Sequence, residues 1–142
     1  IGLDNLNNYY DQKLKLLRLE ILKKFSSKNN FKYKFIKGDI NNLKLLNSCF
    51  KKHKISLVIH LAAQAGVRYS IKHPLTYVKN NINGFFNVLE VCRLYKVKHL
   101  VYASTSSVYG LKKKFPVKET DNTDKPLSFY AATKKSNEVI NV

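Results

Sequence analysis

The chain has 142 residues, 44% of them hydrophobic and 25% charged, which suits one globular domain and excludes wholesale disorder or a second full domain. Its 26 Lys and Arg against 9 Asp and Glu give a net charge of +17, a balance that raises nucleic acid as a partner. Only Arg18, Arg68 and Arg93 are arginines, however, and the lysines are scattered rather than interleaved with aromatics, so a solvated lysine surface is the better reading.

In chain order, short apolar runs alternate with helical periods, the pattern of a parallel sheet covered by helices. Residues 1–3 end a strand. Leu14, Leu17, Ile21 and Phe25 recur on one face of an amphipathic helix that stops in the polar run 26–30. Residues 33–36 form the next strand, closed by Gly38-Asp39. A short helix over 42–52 places Leu43, Leu46 and Phe50 together, and the apolar run 55–62 reads as a buried parallel strand. Pro74 opens a longer helix whose stripe of Val78, Ile82, Phe85, Phe86 and Leu89 is expected to lie on the sheet. A strand over 99–103, an irregular connection over 110–128 and a helix over 129–142 complete the pattern. The fold class is therefore α/β.

Cys49 and Cys92 are the only cysteines, far apart, which suggests neither a disulfide framework nor a metal site and points to a reducing compartment. No apolar run approaches the roughly 18 residues of a membrane span, and no secretory leader is recognisable, so a cytoplasmic protein is expected. The chain opens at Ile1 rather than Met, as though a strand were already under way, which suggests a fragment.

Tyr130 and Lys134 stand four apart, on one face of the last helix, where a lysine charge can stabilise a tyrosinate. By spacing alone, which is common by chance, a surface pair is the better reading. Ser104, Thr105, Ser106 and Ser107 follow a strand at its carboxyl end, where α/β sheets bind ligands, although such hydroxyls also cap turns. Asp4 after the first strand end is either a ribose-binding carboxylate or a helix cap, and Asp39 is either an adenine contact or a turn residue. The small residues of Leu61-Ala62-Ala63 admit either a dinucleotide or tight helix packing.

Together these strings resemble the extended short-chain dehydrogenase/reductase family, and within it the nucleotide-sugar epimerases. The resemblance runs from Asp4-Asn5-Leu6 through Gly38-Asp39-Ile40, His60-Leu-Ala-Ala63, Asn80-Asn81-Ile-Asn-Gly84 and Ser104-Thr-Ser-Ser-Val-Tyr-Gly110 to Tyr130-Ala-Ala-Thr-Lys134. The stretch His60-Leu-Ala-Ala-Gln-Ala-Gly-Val-Arg-Tyr-Ser70 is most similar to the UDP-glucuronate 4-epimerase branch.

The resemblance implies a tightly held NAD and a transient 4-keto sugar. Tyr130 would be the general base, Lys134 would lower its pKa and bind the nicotinamide ribose, and Thr105 would hold the sugar 4-oxygen with Ser106 and Ser107 nearby. Asp4 and Asn5 would bind the adenosine ribose, Asp39 and Ile40 the adenine, and Leu61, Ala62, Ala63 and Gln64 the middle of the cofactor, with Asn80 in support. A carboxylate at Asp4 would favour NAD over NADP. Arg68 would face an anionic substrate, or is a surface arginine. The resemblance also implies a UDP-sugar substrate and a homodimer of the complete protein, without nucleic acid or membrane.

The family's glycine-rich phosphate loop and its strand lie ahead of the strand that ends at residues 1–3, and its substrate domain lies beyond Val142. The expected fold is thus a partial Rossmann domain over residues 1–142, a parallel sheet flanked by helices without the first strand or glycine loop. The family's dehydratases carry an Asp-Glu pair where Ser106-Ser107 stand, which argues against dehydration and leaves decarboxylation open. A non-catalytic basic binding module is the other alternative, opposed by the retention of Thr105, Tyr130 and Lys134.

Overall fold

The computed structural model describes residues 1–112 and 115–140. Strand β1 (Gly2–Asp4) leads to helix α1 (Gln12–Lys28), β2 (Phe35–Lys37) to α2 (Leu43–His53), and β3 (Leu57–His60) to the short α3 (Val67–Lys72). Next come α4 (Pro74–Tyr77), a π-helical turn (Val78–Asn83), α5 (Gly84–Leu94), β4 (His99–Tyr102), a 3-10 turn (Ser106–Tyr109) and α6 (Phe129–Val139). Three helices begin on side chains that cap their first amides: Asp11 accepts from the Lys13 N–H, Asn42 from Leu45 and Ser128 from Ala131.

All strand pairing is parallel, as expected. β1 pairs with β2 in the register Leu3 to Ile36, and β3 pairs with β4 in the register Val58 to Leu100. Among the described residues the pairs make two separate two-stranded sheets. Between β1 and β3 lies an apolar cleft of about 420 Å³, lined by Leu3, Leu57 and Ile59 from the strands, by Leu61 just after β3 and by Leu46, Phe50 and Val88 from the helices. The packing of α2 on α5 joins the halves. Its core is Ile40, Leu46, Cys49, Phe50, Val88, Val91 and Cys92. Gly84 permits this approach, because a Cβ there would meet Ile40 Cδ1 at 2.5 Å.

Several expectations from the sequence are corrected. Strand β2 starts at Phe35 rather than 33 and β3 is confined to Leu57–His60, because each is paired on one edge only. The stripe of Leu14, Leu17, Ile21 and Phe25 on α1 is exposed, and Ser26 is that helix's one buried residue. Leu43 is also exposed, its place in the core taken by Cys49. In the long helical region the π turn inserts one residue and rotates the buried face, so Phe85, Val88 and Val91 are buried while Val78 and Phe86 face outward. Helix α3 had no sequence signal. The last helix is traced to Val139, and the final two residues of the expected helix, 141 and 142, lie outside the described residues.

Candidate functional site

The loops that follow β1, β2 and β3 converge on a cleft of about 230 Å³. Asp4, Asn5, Asp39, Ile40, Leu61, Ala62, Ala63, Gln64 and Asn80 all line it, so nine residues drawn from four separate strings meet in one place. The Asp4 carboxylate accepts from the Leu6 N–H at 2.6 Å and turns the chain away from the strand end. Asn5 donates to one Asp39 oxygen at 3.1 Å, while the Asn41 N–H and side-chain amide both donate to the other at 2.8 Å. Burial pushes the Asp39 carboxyl up, but these hydrogen bonds and the Lys79 charge outweigh it and hold the group below its ordinary value. Asn41 also donates to Asn80 at 3.2 Å, which fastens the long helix to the same cleft.

Sequence reasoning missed four other residues of this cleft: Asn7, Tyr9, Tyr10 and Lys15. Lys15 Nζ sits 3.9 Å from Asp4 Oδ1 and donates to the Asn7 carbonyl at 3.1 Å. The Tyr9 hydroxyl crosses to the Ala65 carbonyl at 2.9 Å, which ties the β1 loop to the β3 loop. Gly66 makes room for it, since its φ is +105° and a Cβ would meet the Tyr9 hydroxyl at 2.7 Å. Adjacent tyrosines after a strand were the one available signal.

Asn81 was also missed, in favour of its neighbour Asn80. Asn81 is 1% exposed and lies in the π turn, which aims its side chain inward. It accepts from the Gln64 N–H at 2.7 Å and donates to the Gln64 carbonyl at 3.0 Å and to Thr133 Oγ1 at 3.1 Å. The β3 loop is thereby fixed to α6 one residue before Lys134. The fully buried Tyr77 adds a second tie, donating to the carbonyls of the 65–66 loop while its ring stands edge-on to Tyr130, 5.9 Å between centroids.

Tyr130 is half-buried at the start of α6, its N–H donated to Ser70 Oγ at 3.2 Å. Lys134 lies one turn later and is only 4% exposed. Burial pulls its pKa down, and the Glu138 carboxylate one further turn along opposes that. Thr105 caps the 3-10 turn: its Oγ1 accepts from the Ser107 N–H at 3.2 Å, which leaves its own proton to donate elsewhere. Thr105 and Ser106 line a different, more open cleft with Glu119, Asp121 and Glu138, while Ser107 is not among its lining residues. Arg68 is exposed and lines a third cleft with Tyr9, Tyr69 and Lys72, so the structure does not bring it together with Thr105.

The donor set of the first cleft suits an adenine dinucleotide. Carboxylates stand at the ends of two adjacent parallel strands, and the small side chains of Ala62 and Ala63 expose the backbone between them.

The family profile described as GDP-mannose 4,6-dehydratase matches residues 5–142. UDP-glucuronate 4-epimerase 1 of Arabidopsis thaliana is 49% identical over 141 residues, covering 99% of this chain and 32% of that protein. The solved UDP-Glc/GlcNAc 4-epimerase of Campylobacter jejuni superimposes with a TM-score of 0.81 at 25% identity, over 97% of this chain and 39% of that one. The UDP-glucose 4-epimerase of Stenotrophomonas maltophila, solved with NAD and formylated UDP-arabinopyranose, gives 0.80 at 28% identity, over 97% and 38%. The chain thus spans about a third to two fifths of the length of the curated relatives it matches. A match across nearly all of its residues, in sequence and in the order of its elements, means that the chain belongs to the GDP-mannose 4,6-dehydratase family of extended short-chain dehydrogenases/reductases.

Proposed function

We propose that this chain is the dinucleotide-binding part of an NAD-dependent UDP-sugar 4-epimerase, and that its substrate is UDP-glucuronate. The observation that carries the reading is the burial of Lys134, 4% exposed, one helical turn from Tyr130. Removing an ammonium group from water is costly, and a neighbouring phenol that must ionise supplies a reason for it. A free phenol with a pKa near 10 is ionised to only about one part in a thousand at pH 7, so stabilising the tyrosinate by about 4 kcal/mol makes it a usable base. Proteins named as UDP-sugar 4-epimerases recur among both the sequence relatives and the solved neighbours, which supplies the reaction.

In this reading Asp4 and Asn5 hold the adenosine ribose, and Asp39 and Ile40 flank the adenine. Leu61, Ala62, Ala63 and Gln64 follow the centre of the dinucleotide, with Asn80 behind them. NAD, when bound, supplies a reversible hydride acceptor for the sugar C4. Tyr130 takes the proton of the sugar 4-hydroxyl, and Lys134 holds the resulting phenolate and the nicotinamide ribose. Thr105 donates to the 4-oxygen, its own oxygen being engaged by Ser107. Ser106 and Ser107 stand where a dehydratase needs an acid and a base to expel water, which favours epimerisation. Arg68 reads the uronate carboxylate. The complete protein is a cytoplasmic homodimer without nucleic-acid or membrane partners, and among the described residues no helix is long and apolar enough to cross a membrane.

The test is to incubate the full-length protein with UDP-glucuronate and follow its 4-epimer by proton NMR. Tyr130→Phe should lower turnover by orders of magnitude while NAD remains bound, because only the proton acceptor is removed. Near-normal turnover in that variant would sink the assignment.

A further inference from the structure

The Ser104 hydroxyl donates to Glu138 Oε1 at 2.5 Å across a sequence separation of 34 residues. The other Glu138 oxygen accepts from Lys135 Nζ at 3.4 Å, and the same ammonium donates to Thr123 Oγ1 at 2.5 Å. Three segments meet at this one chain of contacts: the end of β4, the connection before α6, and α6 itself. The first carries Thr105 and the last carries Tyr130 and Lys134. An ordinary Lys–Glu pair on a helix surface contributes about 0.3 to 0.5 kcal/mol and orders nothing beyond its own helix. Here the carboxylate reaches off the helix to a hydroxyl, and an O–H donated to a charged oxygen is among the stronger hydrogen bonds.

We propose that Glu138 is a positioning residue for the epimerase reaction, holding the Ser104-Thr105 strand end in register with the Tyr130–Lys134 face of α6. The inference rests on the function proposed above. Its physical basis is that Thr105 and Tyr130 must address the same sugar oxygen, yet they belong to segments whose link runs through an irregular connection of some length. The 3-10 turn packs on α6, and the Ser104 hydrogen bond to Glu138 ties the residue just before Thr105 to the same helix. Glu138 closes the gap.

The experiment compares Glu138→Ala, Glu138→Gln, Ser104→Ala and the double variant Ser104→Ala/Glu138→Ala in the full-length protein. Glu138→Ala should lower kcat about tenfold with KM and NAD affinity held within about twofold, since only alignment is lost. Glu138→Gln should recover most of the rate, because its amide oxygen still accepts from Ser104. Ser104→Ala should match Glu138→Ala, and the double variant should be no slower than either single one. Hydrogen exchange gives a readout independent of turnover: the Ser107 amide, which donates to Thr105, should exchange faster in both alanine variants. Additive losses, or wild-type kcat with unchanged exchange in Glu138→Ala, would overturn the proposal. Should Glu138→Ala fail to fold, Ser104→Ala, a small change at an exposed site, carries the same comparison. Absence of epimerisation in the wild type with the exchange response intact would instead refute the function and leave the structural tie standing.

Discussion

The Asn81 side chain closes both backbone hydrogen bonds of Gln64, accepting from its N–H at 2.7 Å and donating to its carbonyl at 3.0 Å. It acts as a substitute strand for one residue, in the loop that follows β3 and lines the cleft. Asn81→Leu should therefore cost about 2 to 3 kcal/mol, because two buried backbone groups lose their partners. The same variant should weaken NAD, since the Leu61–Gln64 stretch is no longer held. Chemical denaturation and calorimetric titration of the full-length protein check the two effects, and unchanged values in both would remove Asn81 from the site.

Asp4 lines the cleft beside Lys15, its Oδ1 3.9 Å from the ammonium nitrogen. If Asp4 binds the ribose hydroxyls, Asp4→Ala should weaken NAD by about 1.5 to 3 kcal/mol, roughly ten- to hundredfold. With the carboxylate gone, Lys15 becomes an unopposed cation facing the place a 2′-phosphate takes, so NADP should gain relative to NAD. The comparison requires parallel titrations of both dinucleotides, and an unchanged preference would count against the ribose role.

His60 at the end of β3 is buried, and its pKa is lowered from 6.5 to about 4, first by burial and then by the nearby Lys134 charge. The unfolded chain takes up this proton near pH 6.5, so between there and about 4 it binds more protons than the native state. Stability is then complete above pH 6.5 and falls as the pH drops through that window, by up to about 3 kcal/mol. Asp39, held below the ordinary carboxylate range, loses its contribution only at lower pH and does not confuse the interval. The thermal midpoint of the full-length protein should fall across this window in the wild type and much less in His60→Gln. Parallel curves would mean that His60 is not the group responsible.

How much of this was legible in the sequence depends on whether a residue acts through chemistry or through register. Asp4, Asp39 and the Leu61–Gln64 string lie at or just past strand ends, and strand ends are set by apolar runs that can be read directly; the structure gathers them into one cleft. Asn81 could not be separated from Asn80, because the π turn that turns it inward is a departure from the helical period and leaves no composition signal. Glu138 was invisible for another reason. Its partner Ser104 is 34 positions away, and nothing local distinguishes it from any solvated glutamate. The exposed stripe of α1 illustrates the converse: periodicity predicts a helix and its apolar face but not whether anything covers that face.

That uncovered surface governs how residues 1–142 behave when expressed alone. β1 and β3 are each paired on one edge, and their other edges face the cleft between the two sheets. Leu57, Ile59 and Leu61 are 55%, 63% and 70% exposed there, and Leu14, Leu17, Ile21 and Phe25 of α1 are exposed as well. Unpaired strand edges bordered by apolar side chains are templates for association with other chains. In the Rossmann arrangement that cleft is the place of the first strand, whose following glycine-rich turn receives the pyrophosphate at a helix N-terminus. The cleft holding Asp4 and Asp39 would then lack its pyrophosphate-binding centre. The isolated chain should therefore be aggregation-prone, should melt without a cooperative transition and should bind NAD negligibly. Extending it at the amino end by an apolar strand and glycine-rich turn should restore a cooperative transition and NAD binding together. Size-exclusion chromatography, thermal unfolding and NAD calorimetry on the two proteins decide the matter: a monomeric 142-residue chain with a cooperative transition and micromolar NAD affinity would show that the cleft between β1 and β3 needs no strand to fill it.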